Sequence, residues 1–387
     1  MNSLLLKLRD RKVRDILWQI VAAMGMVAVI VFFVRNASEN MVKAGIASGF
    51  NFLWRDAGIE VPFNITGYKP SDTILALLWT GIVNTLLVSA AAIVVATVVG
   101  FAVGLARLSR NWLLSALAGF YIEFVRNIPL LFFVLFWYFG VLAALPTPRE
   151  SVDFLGVAFL NRRGLSIPTA NELDAFGAVL VATVALTGAQ LALARWARRR
   201  QAATGQDFPV WTAGFVLLGA LPLALLLWAG TRTSWDIPSL RGFNYRGGFV
   251  LVPEFVALFA ALSTYTAGFI AEIVRGGIQS VPGGQIDAAR ALGLGRGRIA
   301  RLVVIPQAMP VIVPPITSQY LNLIKNSSFG AAIAYPEVVA VFVGSALVST
   351  GQAIEIIAIT LAIYLTISLA VSAFMNWYNA RHRLVRR

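Results

Sequence analysis

Residues 74–106, ILALLWTGIVNTLLVSAAAIVVATVVGFAVGLA, run for 33 positions without one charged side chain. Crossing a hydrocarbon core of roughly 30 Å takes about 20 mostly apolar residues in a helix. In lipid, a helix is the form that lets such a segment satisfy its own backbone N–H and C=O groups. The stretch is therefore predicted as a membrane-spanning helix, long enough to tilt, break or lie in the interface at its ends. The same test marks further runs near Ile16–Val34, Trp112–Leu145, Phe176–Ala194, Val210–Gly230, Val250–Ile273, Leu302–Ile324 and Ala353–Trp377. Trp112–Leu145 is also long for one span.

Composition agrees. The 387 residues are 58% hydrophobic and only 13% charged, against roughly 25% charged in an ordinary soluble domain. The net charge of +14 would suggest nucleic acid as a partner, but the arginines stand in short clusters between apolar runs. No nucleic acid is expected; the lipid bilayer is the solvent. With no cysteine and a single histidine, His382 in a basic tail, neither a thiolate metal site nor a His-based triad is expected. No catalytic residue and no metal ligand is assigned.

The basic clusters set the orientation, because short cytoplasmic loops carry the excess of Lys and Arg. Lys7, Arg9, Arg11, Lys12 and Arg14 precede the first run. That run is longer than a signal-peptide core, and no small-x-small cleavage site precedes the polar stretch, so a retained anchor is expected. Arg107 and Arg110 follow two crossings, Arg195, Arg198, Arg199 and Arg200 four, Arg275 to Arg301 six, and Arg381 to Arg387 eight. All fall on one side, which predicts eight spans with both termini cytoplasmic. The outer segments mix signs, and their Trp54, Phe63, Tyr68 and Phe154 are expected at the membrane surface.

The stretch from Glu272 to Pro306, EIVRGGIQSVPGGQIDAARALGLGRGRIARLVVIP, lies on the cytoplasmic side. Pro282, Gly283 and Gly284 break the preceding helix, and Gly293 and Gly295 end the next one, predicted over Gln285–Leu292. A second amphipathic piece is predicted over Arg296–Ile305. Ala288, Ala289 and Ala291 keep the surface of the short helix low, and Arg290, Arg296, Arg298 and Arg301 surround it with positive charge. This suits docking of another protein, although arginines alone would equally make a solvated loop that fixes topology.

Asp287-Ala288-Ala289, Gly293 and Val303-Val304-Ile305-Pro306 stand at the spacing of a known motif: EAA, three residues, Gly, nine residues, I-x-L-P. Asp replaces Glu, Val replaces Ile and Ile replaces Leu. In this the chain resembles permease subunits of bacterial binding-protein-dependent ABC importers. Asn84-Thr85-Leu86-Leu87, Tyr121 to Leu130 (YIEFVRNIPL) and Leu323-Ile324-Lys325-Asn326-Ser327-Ser328 are similar to the polar amino-acid branch. The enlarged layout resembles the larger permease of general L-amino-acid importers. The resemblance implies an all-α integral membrane protein with a type I importer bundle, in the bacterial inner membrane. It also implies that Gln285, Asp287, Ala288, Ala289, Arg290, Gly293 and Pro306 couple the chain to an ATPase subunit dimer. Further implied partners are a second related permease, a periplasmic amino-acid-binding protein and an L-amino-acid substrate. This chain has no G-x-x-x-x-G-K-[ST] loop, so no cofactor is expected in it, and ATP and Mg belong to the partner ATPase.

The organisation expected is an anchor and outer segment over 1–73, a first core part over 74–142 and an insertion with two extra spans over 143–249. A second core part follows over 250–377, holding the coupling loop 275–306, and then a basic tail over 378–387. Polar residues within spans are costly and often functional. Glu123 and Arg126 either pair with each other or line the cytoplasmic mouth. Lys325 either counters a substrate carboxylate, with Asn326 and Ser327 beside it, or snorkels to the interface. Asn84, four residues after Thr80, either bonds substrate or joins helices, and Tyr265 either lines the path or packs. A gradient-driven secondary transporter is the competing class. Its midplane acids are not evident, because Glu254, Glu272, Glu337 and Glu355 fall near predicted span ends. A membrane enzyme would need a catalytic motif that the sequence does not show.

Overall fold

A computed structural model describes residues 11–43, 49–172, 174–206 and 208–382. Lys7 and Arg9 of the first basic cluster, and Arg383, Arg386 and Arg387 of the tail, lie outside the described residues. Among the described residues, seven helices are long and apolar enough to cross a membrane, and a bent pair raises the number to eight. They match the eight runs expected from sequence.

The helices are α1 (Arg11–Lys43), α2 (Ile74–Arg107), α3 (Trp112–Asn127), α4 (Leu130–Leu135, continued by a π-helical stretch Phe136–Leu142) and α5 (Asp174–Thr204). Then come α6 (Val210–Phe215), α7 (Leu221–Arg232), α8 (Pro253–Gln279), α9 (Gly283–Ala291), α10 (Arg296–Ile299), α11 (Ile305–Asn326), α12 (Leu347–Thr350) and α13 (Ala353–His382). A π-helical stretch, Val216–Ala220, joins α6 to α7 as one apolar run. The long Trp112–Leu145 run is broken by 108° between α3 and α4. The cause is local: Ile128 precedes Pro129 and is held at φ −110°, ψ 131°, outside the helical region. In α8, Pro253 opens the helix where its missing N–H costs nothing, with Glu254 in the first turn. Helix α11 contains Pro310, Pro314 and Pro315, tolerated where neighbouring groups re-satisfy the freed carbonyls.

The chain forms two compact units, Met1–Ile93 with Glu272–Arg387, and Val94–Ala271. In the first, a core joins Phe52, Tyr68, Leu77, Val338, Phe342 and Ile356. Outer segment 49–73 is thus built into this core. Phe63 and Tyr68 are 2% and 7% exposed, a correction to their expected place on the membrane surface, whereas Trp54 and Phe154 are exposed. The reason is their partners. Phe63 meets the Tyr335 ring at 5.9 Å, and the Tyr68 hydroxyl donates to Ile59 O at 2.9 Å. Burial raises the Tyr68 phenol above its ordinary pKa, so it remains a donor. After α11 a 3₁₀ turn (Ser327–Ile333) and an apolar π-to-α segment (Val339–Thr350) follow, too short to be a full span. Gly81 allows α2 to approach this segment: a Cβ there would stand 2.6 Å from the Val341 side chain. Gly277 likewise lets α8 meet Ile312 of α11.

In the second unit, α8 packs on α2 at Gly100, where a Cβ would fall 2.6 Å from Ile270, and on α3 at Gly268, against Val125. The outer segments of the insertion add strands to the helical fold, which the sequence reading did not foresee. Strands β1 (Val152–Phe154), β2 (Ala158–Asn161), β3 (Gly164–Ile167) and β8 (Phe249–Leu251) form an antiparallel sheet in the order β1-β2-β3-β8. Strand β4 (Thr169–Ala170) pairs with β5 (Trp235–Asp236), and β6 (Ser239–Arg241) with β7 (Asn244–Arg246). Helix α1 is apolar and exposed over Asp15–Asn36, with Phe32 and Phe33 63% and 65% exposed, a surface suited to lipid.

Candidate coupling surface and transport path

Helix α9 begins and ends as its sequence dictates. Pro282, at φ −59° and ψ 133°, lies outside the helix and starts it. At the other end Leu292 N donates to Ala288 O at 3.1 Å, Gly293 N to Arg290 O at 2.9 Å and Leu294 N to Ala289 O at 3.2 Å. This αL cap needs Gly293, whose φ is +75°. The result is a short helix held between two breaks. Gln285, Asp287, Ala288, Arg290 and Ala291 are exposed, and Leu292 is 80% exposed. Asp287 accepts from Arg290 at 2.8 Å, an exposed i,i+3 pair worth little in itself. Two details differ from expectation. Ala289 is 5% exposed and faces the chain's own core, so it supports α9 from behind. The piece Arg296–Ile305 is not separate, because α10 runs through a π-helical stretch, Ala300–Val304, into α11, with exposed Pro306 in the first turn. Leu292 was absent from the sequence-based site. Its signal was the position before Gly293, an apolar residue at the end of a helix with nothing of its own chain to cover it.

The expected path residues fall in both units. In the first, Asn84 is fully buried and its Nδ2 donates to Phe63 O at 3.0 Å and Pro336 O at 2.9 Å. Its own carbonyl accepts from the Tyr335 hydroxyl at 3.0 Å. One amide thereby joins α2, outer segment 49–73 and the turn before Val339–Thr350. Thr80 does similar work: its hydroxyl lies 2.7 Å from that of Thr66. Lys325 is exposed at the end of α11, and Asn326 is half-buried. Ser327 is buried and donates to Ile324 O at 2.6 Å. In the second unit, Glu123 and Arg126 are exposed on α3 and make no ion pair with each other. Arg126 sits over the Phe269 ring at 5.9 Å. Tyr265 packs between Phe133 at 5.7 Å and Phe269 at 5.1 Å. The structure thus brings Arg126 and Tyr265 to one aromatic ring.

A residue missed from the sequence is Glu337. It was read as lying near a span end, but it is fully buried. Its carboxylate accepts from Val339 N at 2.8 Å, Ala340 N at 2.7 Å and the Tyr364 hydroxyl at 3.0 Å. It caps the segment Val339–Thr350, satisfying N–H groups that a helix start leaves open. The 11-residue run Val338–Val348 was its sequence signal: too short for a span, it suits a buried or re-entrant segment.

Among the described residues, the apolar helices define a multi-pass membrane protein, and α9 stands exposed between two backbone breaks. Residues 249–384 match the family described as binding-protein-dependent transport system inner membrane component. The chain is 49% identical over 375 residues to the putative amino-acid ABC transporter permease protein YhdX of Escherichia coli K12, covering 97% of this chain and 95% of that one. It is 47% identical to the general L-amino acid transport system permease protein AapQ of Rhizobium johnstonii, over 98% of this chain and 94% of the relative. With the glutamate/glutamine/aspartate/asparagine transport system permease protein BztB of Rhodobacter capsulatus it shares 36% identity, over 98% and 96%. The chain belongs to this family: it is a multi-pass ABC importer permease of type I with a helical membrane bundle.

Proposed function

We propose that the chain is one of two related permease subunits of an inner-membrane importer for L-amino acids, polar or broad in range. A loaded periplasmic binding protein delivers substrate to the outer face. A separate ATPase dimer, which binds ATP and Mg, closes and moves α9, and the bundle switches between inward-open and outward-open states. The observation that carries the coupling part is the exposed face of α9, Ala288 and Leu292 beside Arg290, held rigidly by Pro282 and Gly293. The substrate class is supported by the full-length relatives, which are named for general L-amino acids and for glutamate, glutamine, aspartate and asparagine.

Within the path, Lys325 is an exposed cation on the last turn of α11, next to half-buried Asn326. We assign it to the substrate carboxylate. The Lys325→Ala variant is expected to raise the KM for amino-acid uptake about 10-fold, roughly the worth of one hydrogen bond to a charged group. Its subunits should still co-purify. Wild-type uptake kinetics in that variant would remove Lys325 from the path.

A further inference from the structure

Helix α5 is longer than a membrane crossing requires. Its 31 residues extend over about 46 Å, against a hydrocarbon core of roughly 30 Å. The uncharged part, 176–194, is enough to cross by itself, and the surplus stands at the end that the charge pattern makes cytoplasmic. There the sequence over 195–209 reads RWARRRQAATGQDFP. It sets Arg195, Arg198, Arg199 and Arg200 against a single acid, Asp207, which lies outside the described residues.

This end of the insertion is ordered by its own contacts. Gly205, at φ 69°, donates its N–H to Gln201 O at 2.9 Å and stops α5. The Phe208 ring then meets that of Trp196 at 5.5 Å. Arg200 lies over the same Trp196 ring at 5.3 Å, and its Nη2 donates to Gln206 Oε1 at 2.8 Å. In α6, Val210 O accepts from Gln190 Nε2 at 3.2 Å. Gly214 leaves room for that side chain, since a Cβ there would stand 2.9 Å from Gln190 Nε2. A wall of guanidinium, indole and turn is thereby fixed beside α5.

Arg195 and Arg199 are four residues apart, on one side of α5, and both are exposed. Ala197, on the other side, is buried. Neither arginine has a carboxylate partner among the described residues. Leu180, Val184 and Leu191 stand on the same side as the two arginines, at steps of four, seven and four residues that end at Arg195, and all three are exposed. From mid-membrane to cytoplasm this face is an apolar strip followed by two guanidinium groups at headgroup depth. That is the profile of one phospholipid, acyl chain and then phosphate. A guanidinium presents two N–H groups to two phosphate oxygens at once, and an indole such as that of Trp196 settles at headgroup level. A soluble acidic protein would meet the arginines and leave the strip uncovered.

We propose that the cytoplasmic end of α5, with its turn into α6, binds an anionic phospholipid. The phosphate sits between Arg195 and Arg199, and an acyl chain follows Leu180, Val184 and Leu191. The arginines outnumber the one acid nearby, so the site favours a net negative headgroup over one that also carries an ammonium. The insertion then holds the chain to the anionic lipid of the cytoplasmic leaflet.

The test uses the chain extracted from its own cells in mild detergent, with the subunits that accompany it. Phosphatidylglycerol is titrated in, and bound lipid is counted by native mass spectrometry. The unaltered protein should take up phosphatidylglycerol in preference to phosphatidylcholine. The double variant Arg195→Gln, Arg199→Gln should need about 10-fold more of it for half-occupancy. Arg195→Lys with Arg199→Lys keeps both charges, and with them the membrane topology, but loses the fork, so its half-occupancy should fall between the two. Arg110→Gln, which removes an exposed arginine elsewhere on the cytoplasmic side, should leave the titration unchanged. Equal half-occupancy in the unaltered protein and the double glutamine variant would overturn the proposal. So would equal uptake of phosphatidylcholine, or an equal loss in Arg110→Gln, which would make the attraction diffuse. Loss of an accompanying subunit from the double glutamine variant, with lipid binding intact, would make a protein the occupant and overturn it as well.

Discussion

Placing glutamate at Ala288 and aspartate at Leu292 is expected to lower uptake about 100-fold and to separate the permease from its ATPase. Both positions are exposed on α9, and Leu292 is the large apolar side chain there, at 80% exposure. A side chain of this kind at the centre of a docking surface is worth about 2 kcal/mol or more when removed. Burying an unpaired carboxylate against the partner adds to that, and about 2.7 kcal/mol is a factor of 100. Neither substitution touches the fold, because Ala289, not Ala288, faces the core. The double variant should therefore reach the membrane in normal amount. Uptake of labelled amino acid, with immunoblotting for the chain, checks both halves. Gly293→Trp would be a poorer probe: at φ +75° it strains the cap of α9 and confuses folding with docking.

The second large effect is on stability. Asn84→Leu removes the hydrogen bonds that the Asn84 amide donates to Phe63 O and Pro336 O. Each lost partner costs roughly 1–3 kcal/mol, so a loss of about 3–4 kcal/mol is expected. The three segments it joins should loosen together. Thermal unfolding in detergent should show a lowered Tm, and proteolysis should open segment 49–73 first. A Tm equal to that of the wild type would show that the carbonyls find other donors and that Asn84 is free for another role.

What the sequence made legible, and what it did not, follows from the range of each signal. Spans are local: a run such as 74–106 needs no partner to be read, because the solvent is lipid. Helix α9 is local too, since Pro282 and Gly293 act on their own backbone. The side of α9 that faces out is not local. Ala288 and Ala289 look equivalent in sequence, and only burial in the folded chain separates them. The outer segments were harder still. Phe63 and Tyr68 read as interfacial aromatics until Tyr335, 272 positions after Phe63, is seen to cover one of them. The strands were missed because β3 and β8 lie about 80 residues apart and are only a few residues long each. Among path residues, Asn84 was read with two alternatives. Its bonds to Phe63 and Pro336 give it a joining role.

The most direct test of the central claim is to tag the chain, extract it from its own cells in mild detergent and identify what accompanies it. An ATPase subunit and a second permease are expected to come with the wild-type chain. The ATPase should be lost from the variant carrying Ala288→Glu and Leu292→Asp. An intact chain that emerges alone, from cells whose uptake survives ATP depletion and collapses with the ion gradient, would contradict it.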